Sequence, residues 1–164
     1  MIETARLRLR RFREDDLDTL HRWNSDVEFT RHLSGVMTLG ETEEAYTRWQ
    51  RHWDDHGFGL CAVEWRETGE LIGRAGPQYH RAWPHDPEVG WALDPGWWGR
   101  GIATEAGRAS IDWAFGELGF ARVVSITTEA NTASRRVMEK LGFRLLTTLP
   151  WERWLLWIHA LDRR

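Results

Sequence analysis

Cysteine is all but missing from this chain of 164 residues, with Cys61 standing alone. One thiol closes no internal disulfide and builds no thiolate zinc site, so packing must hold the fold. Long apolar runs are missing as well. None reaches the roughly 18 residues that span a bilayer, which excludes a membrane-spanning helix. The opening MIETARLRLRRF lacks the apolar stretch of a secretory signal. A soluble, cytoplasmic protein with no membrane partner is expected. Lysine is reduced to Lys140, the other 21 bases being arginine. A large charge excess is also lacking: Lys+Arg 22 against Asp+Glu 25 leaves net −3, a poor match to a polyphosphate backbone, so nucleic acid is not expected as a partner. His52 and His56 stand four apart on a helical stretch, but no HExxH carboxylate accompanies them, and no metal is expected.

What is present points to one packed domain spanning 1–164. Hydrophobic residues at 41% and charged residues at 29% are globular values, and a chain of this size buries roughly 68–70% of its unfolded surface as one domain. The charge is unevenly spread. Residues 13–56 hold eleven acids and five bases, net −6, leaving +3 for the rest; such a division suits a cationic ligand on one side and an anionic one on the other.

Residues 5–12 alternate Arg6, Leu7, Arg8, Leu9, Arg10, the period of a half-buried strand. Asp15 and Asp16 open a helix carrying Leu17, Leu20 and Trp23, and 41–56 reads as a second helix stopped by Gly57. Stretches 58–66 and 71–79 flank the turn Glu67–Glu70 as a hairpin, and 88–94 is a further strand ended by Pro95-Gly96. Then follow a helix over 102–118, a β-branched strand over 122–127, and a helix over 132–141 stopped by Gly142. Two strands around Pro150 close the chain over 143–159, where the spacing of Trp151, Trp154 and Trp157 leaves a helix open. The order is βααβββαβαββ.

Chemistry concentrates in WALDPGWWGRGIATEAG, residues 91–107. A strand runs through a loop bearing Gly99 and Gly101 into a helix whose first N–H groups have no partner within it. Such groups, with the helix dipole behind them and glycine permitting close approach, bind phosphate or pyrophosphate. About thirty residues on stands NTASRRVMEKLGF, Asn131 to Phe143.

Together with the opening ETARLRLRRF, these segments resemble the GNAT N-acyltransferase superfamily, most closely its RimJ/RimL-type branch, over nearly the whole chain. The resemblance implies an α+β fold: a mixed, largely antiparallel sheet with strands four and five splayed and about four flanking helices. It implies acetyl-CoA as cosubstrate, its pyrophosphate held by the amides of Gly99, Arg100, Gly101, Ile102, Ala103 and Thr104. Its pantetheine would lie along Trp91, Ala92 and Leu93 and be bonded by Asn131, with Ser134 near the thioester sulfur. Arg100, Arg135 and Arg136 are further candidates for its phosphates. The family's loop begins with Gln or Arg where Trp98 stands here, and the tyrosine that many relatives use as acid is replaced by Met138.

Acyl transfer requires an uncharged amine, a donor for the developing oxyanion, and a proton for the leaving thiolate. By the same resemblance, the N–H near Leu93 answers to the second need, and the Ser134 hydroxyl is the candidate for the third. Glu88, with Asp86 behind it, is the candidate base. Deprotonating a lysine at pH 7 costs about 4–5 kcal/mol and an α-amine only about 1, so an α-amine or another low-pKa amine fits a site with one carboxylate and no His-carboxylate pair. The acceptor is a peptide N-terminus or a small amine. Exposed tryptophan surface would suit a homodimer. The rival reading is a non-catalytic acyl-CoA-binding sensor or interaction module.

Overall fold

The computed structural model describes residues 1–163. Eight strands form one sheet in the order β1-β2-β3-β4-β5-β6-β8-β7, with β1 Ile2–Glu3, β2 Leu7–Arg10, β3 Cys61–Trp65, β4 Glu70–His80, β5 Trp83–Leu93, β6 Arg122–Thr128, β7 Arg144–Trp151 and β8 Trp154–Asp162. The helices are α1 Leu17–Asn24, α2 Val27–Thr30, α3 Leu39–His56, α4 Ile102–Phe115 and α5 Thr132–Leu141. Every neighbouring pair is antiparallel except β5 and β6, which run parallel. The α+β fold is therefore as expected. Strands four and five of the sequence reading are β5 and β6, because the short β1 precedes them.

Two layers cover the sheet. Leu7, Leu9, Val63, Ile72 and Leu93 pack with Ile102 and Ala106 of α4 on one face, and Phe12, Leu20, Trp23, Phe29 and Ala62 pack on the other. A third cluster, Val89, Ile111, Val123, Met138 and Leu141, ties α4 and α5 to β5 and β6. Capping explains the helix ends. Thr38 and Glu41 form a reciprocal capping box at the start of α3, and left-handed Gly57 and Gly142 close α3 and α5.

Several boundaries differ from the sequence reading. One extra helical turn, α2, follows α1, making five helices where about four were expected. Helix α4 stops at Phe115, three residues short of 118. The last two strands turn at Glu152, which takes φ 51, and not at Pro150, which pairs with Leu155 inside the ladder. Trp151, Trp154 and Trp157 lie on strands, so the helical option for them is set aside. Strand β5 begins at Trp83, five residues before 88, despite Pro84 and Pro87. Arg10, placed by alternation on an open face, is buried with its guanidinium clasped by Asp16 at 2.7 Å and 2.9 Å and by Glu64 at 2.6 Å. Against the cost of burial, Arg10 holds the Asp16 carboxyl below its usual range.

Candidate active site

The site begins where the sheet opens. β5 and β6 share a single bridge, Glu88 with Val124, although β5 continues to Leu93 and β6 to Thr128. Beyond that bridge the strands part. Just past the end of β5, the Asp94 N–H bonds to the Ile72 carbonyl on the β4 side. Alternation along the antiparallel pair therefore turns the backbone groups of Trp91 and Leu93 toward the gap. Trp98, standing where the GNAT pattern has Gln or Arg, donates its indole N–H to the Leu93 carbonyl at 2.8 Å and pins the end of β5 to the loop that follows.

That loop is a row of free donors. Gly99 and Gly101 both take φ +75, a left-handed conformation that side chains with a Cβ resist. Among the described residues, no protein acceptor takes the N–H groups from Gly99 to Thr104. The loop is braced from behind. Arg6 donates to the Arg100 carbonyl at 3.0 Å and pairs with Glu105 at 2.7 Å, while the Thr4 hydroxyl donates to Glu105 at 2.5 Å. These contacts hold the Glu105 carboxyl below its usual range despite its partial burial.

A cleft of about 500 Å³ lies in front of these amides. Trp91, Ala92, Leu93, Gly99, Gly101, Ile102, Ala103, Thr104, Asn131, Ser134 and Arg136, all candidates from the sequence, line it together. Arg100 does not line it; its guanidinium lies over the Trp97 ring, 4.8 Å from the centroid. Arg135 is also turned elsewhere, onto Trp157 at 4.7 Å. Asn131 is the N-cap of α5, its Oδ1 accepting from the Ser134 N–H at 3.1 Å, which leaves its amide NH₂ free. The Ser134 hydroxyl has no protein partner among the described residues. Met138, where the resemblance places a tyrosine, is buried in the core behind them.

Glu88 sits elsewhere. It is in the interior of β5 rather than at its start, and its alternation places the side chain on the face opposite α4 and α5. Its carboxylate folds back over Gly90, where no other atom approaches the empty Cβ position. Burial pushes its pKa up, while the His80 ring, Gln78 and the Ile126 amide pull the other way. Asp86 accepts from the Trp83 indole at 3.1 Å. His52 has both ring nitrogens engaged, by the Phe58 carbonyl and the Tyr79 N–H, which leaves no lone pair for a metal.

Sequence reasoning missed part of the wall. Phe29, His32 and Leu33 reach the cleft from α2 and the turn after it, and Lys140 lines it beside Val137. The helical spacing of Val137 from Ser134 and of Lys140 from Arg136 was a signal for these two; nothing local marked the α2 residues.

The profile of the acetyltransferase (GNAT) domain matches residues 6–144. The chain belongs to the GNAT acetyltransferase family. It is 33% identical over 150 residues to the uncharacterized protein YkkB of Bacillus subtilis, covering 89% of this chain and 86% of that one. It is 30% identical to the uncharacterized N-acetyltransferase YoaA of the same species, covering 88% and 82%. The crystal structure of an acetyltransferase from Agrobacterium tumefaciens superposes with a TM-score of 0.89 at 28% identity, over 99% of this chain and 94% of that one. This GNAT domain is an N-acetyltransferase, and the family's cosubstrate is acetyl-CoA.

Proposed function

We propose that the chain moves an acetyl group from acetyl-CoA to a primary amine, a protein N-terminal α-amine or a small-molecule amine, by direct attack in a ternary complex. We place it in the RimJ/RimL-type branch on its opening ETARLRLRRF and its Asn131–Phe143 segment. The observation that carries the reading is the row of unpaired N–H groups from Gly99 to Thr104 facing the cleft. These amides suit a pyrophosphate, the free edge of β5 suits the amide groups of pantetheine, and Arg136 and Lys140 supply positive charge at the wall. The residues fit the cosubstrate.

The roles follow from position. Trp91 and Leu93 present N–H groups to the gap, and that of Leu93 stabilises the oxyanion as the thioester carbonyl is attacked. Asn131 donates its free NH₂ to the pantetheine arm. Ser134 donates its proton to the departing thiolate. Glu88, on the opposite face at the fork of the splay, takes a proton from the incoming ammonium, directly or through water, and its raised pKa brings it nearer the amine's. With Cys61 buried and its thiol pushed up to about 12 by desolvation, no covalent acetyl-cysteine step is available. A buried carboxylate at the fork weighs against a sensor without turnover, since a sensor has no use for a base there.

The test is Gly101→Val. A β-branched residue at φ +75 blocks the loop conformation at a cost of about 1–3 kcal/mol, so the domain stays folded while CoA binding, measured by titration calorimetry, is lost. Unchanged affinity overturns the phosphate loop. Thiol release with a panel of amines then separates enzyme from sensor.

A further inference from the structure

Arg74 is buried and has no partner. It is 9% exposed, yet no hydrogen bond or ion pair engages its guanidinium among the described residues. It lies between two aromatic rings, 5.5 Å from the Phe29 centroid and 5.0 Å from that of Trp49. The other buried arginine, Arg10, shows how this chain ordinarily treats such a group, with a carboxylate on each side. A guanidinium carries five donors and does not release its proton at neutral pH. Leaving one desolvated without an anion is costly, and such groups persist where a ligand completes them. Burial alone, with no opposing carboxylate, pulls the Arg74 pKa down to about 10, still charged at neutral pH.

Its position is specific. A β-bulge in β4, where the pairing with β3 shifts between Val63 and Glu64, leaves Ile72 and Ala75 both packed toward α4 and turns Arg74 to the opposite face. On that face Arg74 pairs across to Ala92, and Gln78 to Glu88, with Gly76 and Gly90 as the pair between them. Gly90 leaves the space over β5 open except for the Glu88 carboxylate folded above it. The row therefore runs from a cation at Arg74 to a carboxylate at Glu88. Phe29 and Ala92, which adjoin Arg74, also line the cleft in front of the loop amides. The unpartnered atoms sealed from solvent among the described residues are Asn24 Oδ1, Trp157 Nε1 and His159 Nδ1, and the Arg74 nitrogens are not among them.

Resting on the acetyl-transfer reading, we propose that the amine acceptor is an amino carboxylate, its carboxylate bound by Arg74 and its amine presented to Glu88. The planar fork of a guanidinium matches a carboxylate through two parallel hydrogen bonds. A polyamine or a purely cationic acceptor would leave Arg74 unpaired and add like charge beside it.

The experiment compares the whole protein with Arg74→Met, which keeps the side-chain volume, and Arg74→Lys, which keeps the charge. The probes are α- and ω-amino acids of increasing chain length, each beside its carboxamide, titrated in the presence of CoA. In the wild type at least one amino acid should bind about tenfold or more tighter than its amide; Arg74→Met should erase that ratio and Arg74→Lys restore part of it, with CoA affinity unchanged in all three. Arg74→Met should also melt no lower than wild type, because it removes a buried charge without a partner. Equal binding of acid and amide across the series overturns the proposal, as does a ratio that survives Arg74→Met. Thiol release is read separately: binding that follows this pattern without release overturns acetyl transfer and leaves the Arg74 site standing.

Discussion

At the scale of the residue, Glu88 shows how one side chain is tuned by where the sheet opens. In a continuous parallel ladder its carboxylate would face only side chains. Here it lies beside Gly90 and against the first β6 amide released by the splay, and burial outweighs the groups that favour its charge. Two consequences follow. If Glu88 is the base, the rate rises with pH as its carboxyl ionises, above the ordinary carboxylate range, and Glu88→Gln removes that rise, with the greatest loss of kcat/KM on the alkaline side. Stability moves the opposite way. Because the folded pKa exceeds the unfolded one, the native state binds more protons in the window between them, so stability is full below the unfolded pKa and declines as pH rises through the folded one. Melting curves of wild type should fall across that window and those of Glu88→Gln should stay flatter. Ser134 offers a separate test. Ser134→Ala should lower kcat by about tenfold to a hundredfold while leaving CoA affinity within about twofold; equal losses would make it a binding residue.

At the scale of the element, the start of α4 is held by contacts remote in sequence. A carboxylate in the first turn of a helix that receives a diphosphate would repel it, and Arg6 neutralises that carboxylate while also holding the Arg100 carbonyl. Arg6→Met should therefore weaken CoA binding by about three- to tenfold, a loss set by the newly uncompensated charge of Glu105, and Arg6→Met combined with Glu105→Gln should recover part of it. Calorimetry on the two variants checks the sign. Helix α5 acts differently: Asn131 spends one end of its amide on the cap and keeps the other for the cleft, so Asn131→Asp should preserve the cap and still weaken CoA.

At the scale of the whole molecule, charge of opposite sign meets at the cleft. The acidic stretch 13–56 builds α1 to α3 and brings Glu28 to the cleft wall, where the loop amides, Arg136 and Lys140 gather beside α4 and α5. Ligation should be felt globally, since a ligand at a hundred times its dissociation constant stabilises the native state by about 2.7 kcal/mol. For a chain of this length that corresponds to a rise in Tm of about 5–10 °C, which calorimetric scans with and without CoA should show and which Gly101→Val should abolish.

Much of this was legible in the order of residues. Period-two runs, helical stripes and glycine stops placed the main elements because side-chain direction in strands and helices is set locally. The loop through Gly99 and Gly101 and the Asn131–Ser134 turn were legible for the same reason, being backbone devices that need particular residues at particular spacings. Tertiary structure decided the rest. The bulge that turns Arg74 inward, the fork that buries Glu88, the carboxylates that clasp Arg10 and the α2 residues that complete the cleft wall all depend on contacts between separate elements, Arg10 being held by Asp16 six positions away and by Glu64 54 positions away. A side chain's charge state and orientation follow from what surrounds it, and distance along the chain carries no record of that.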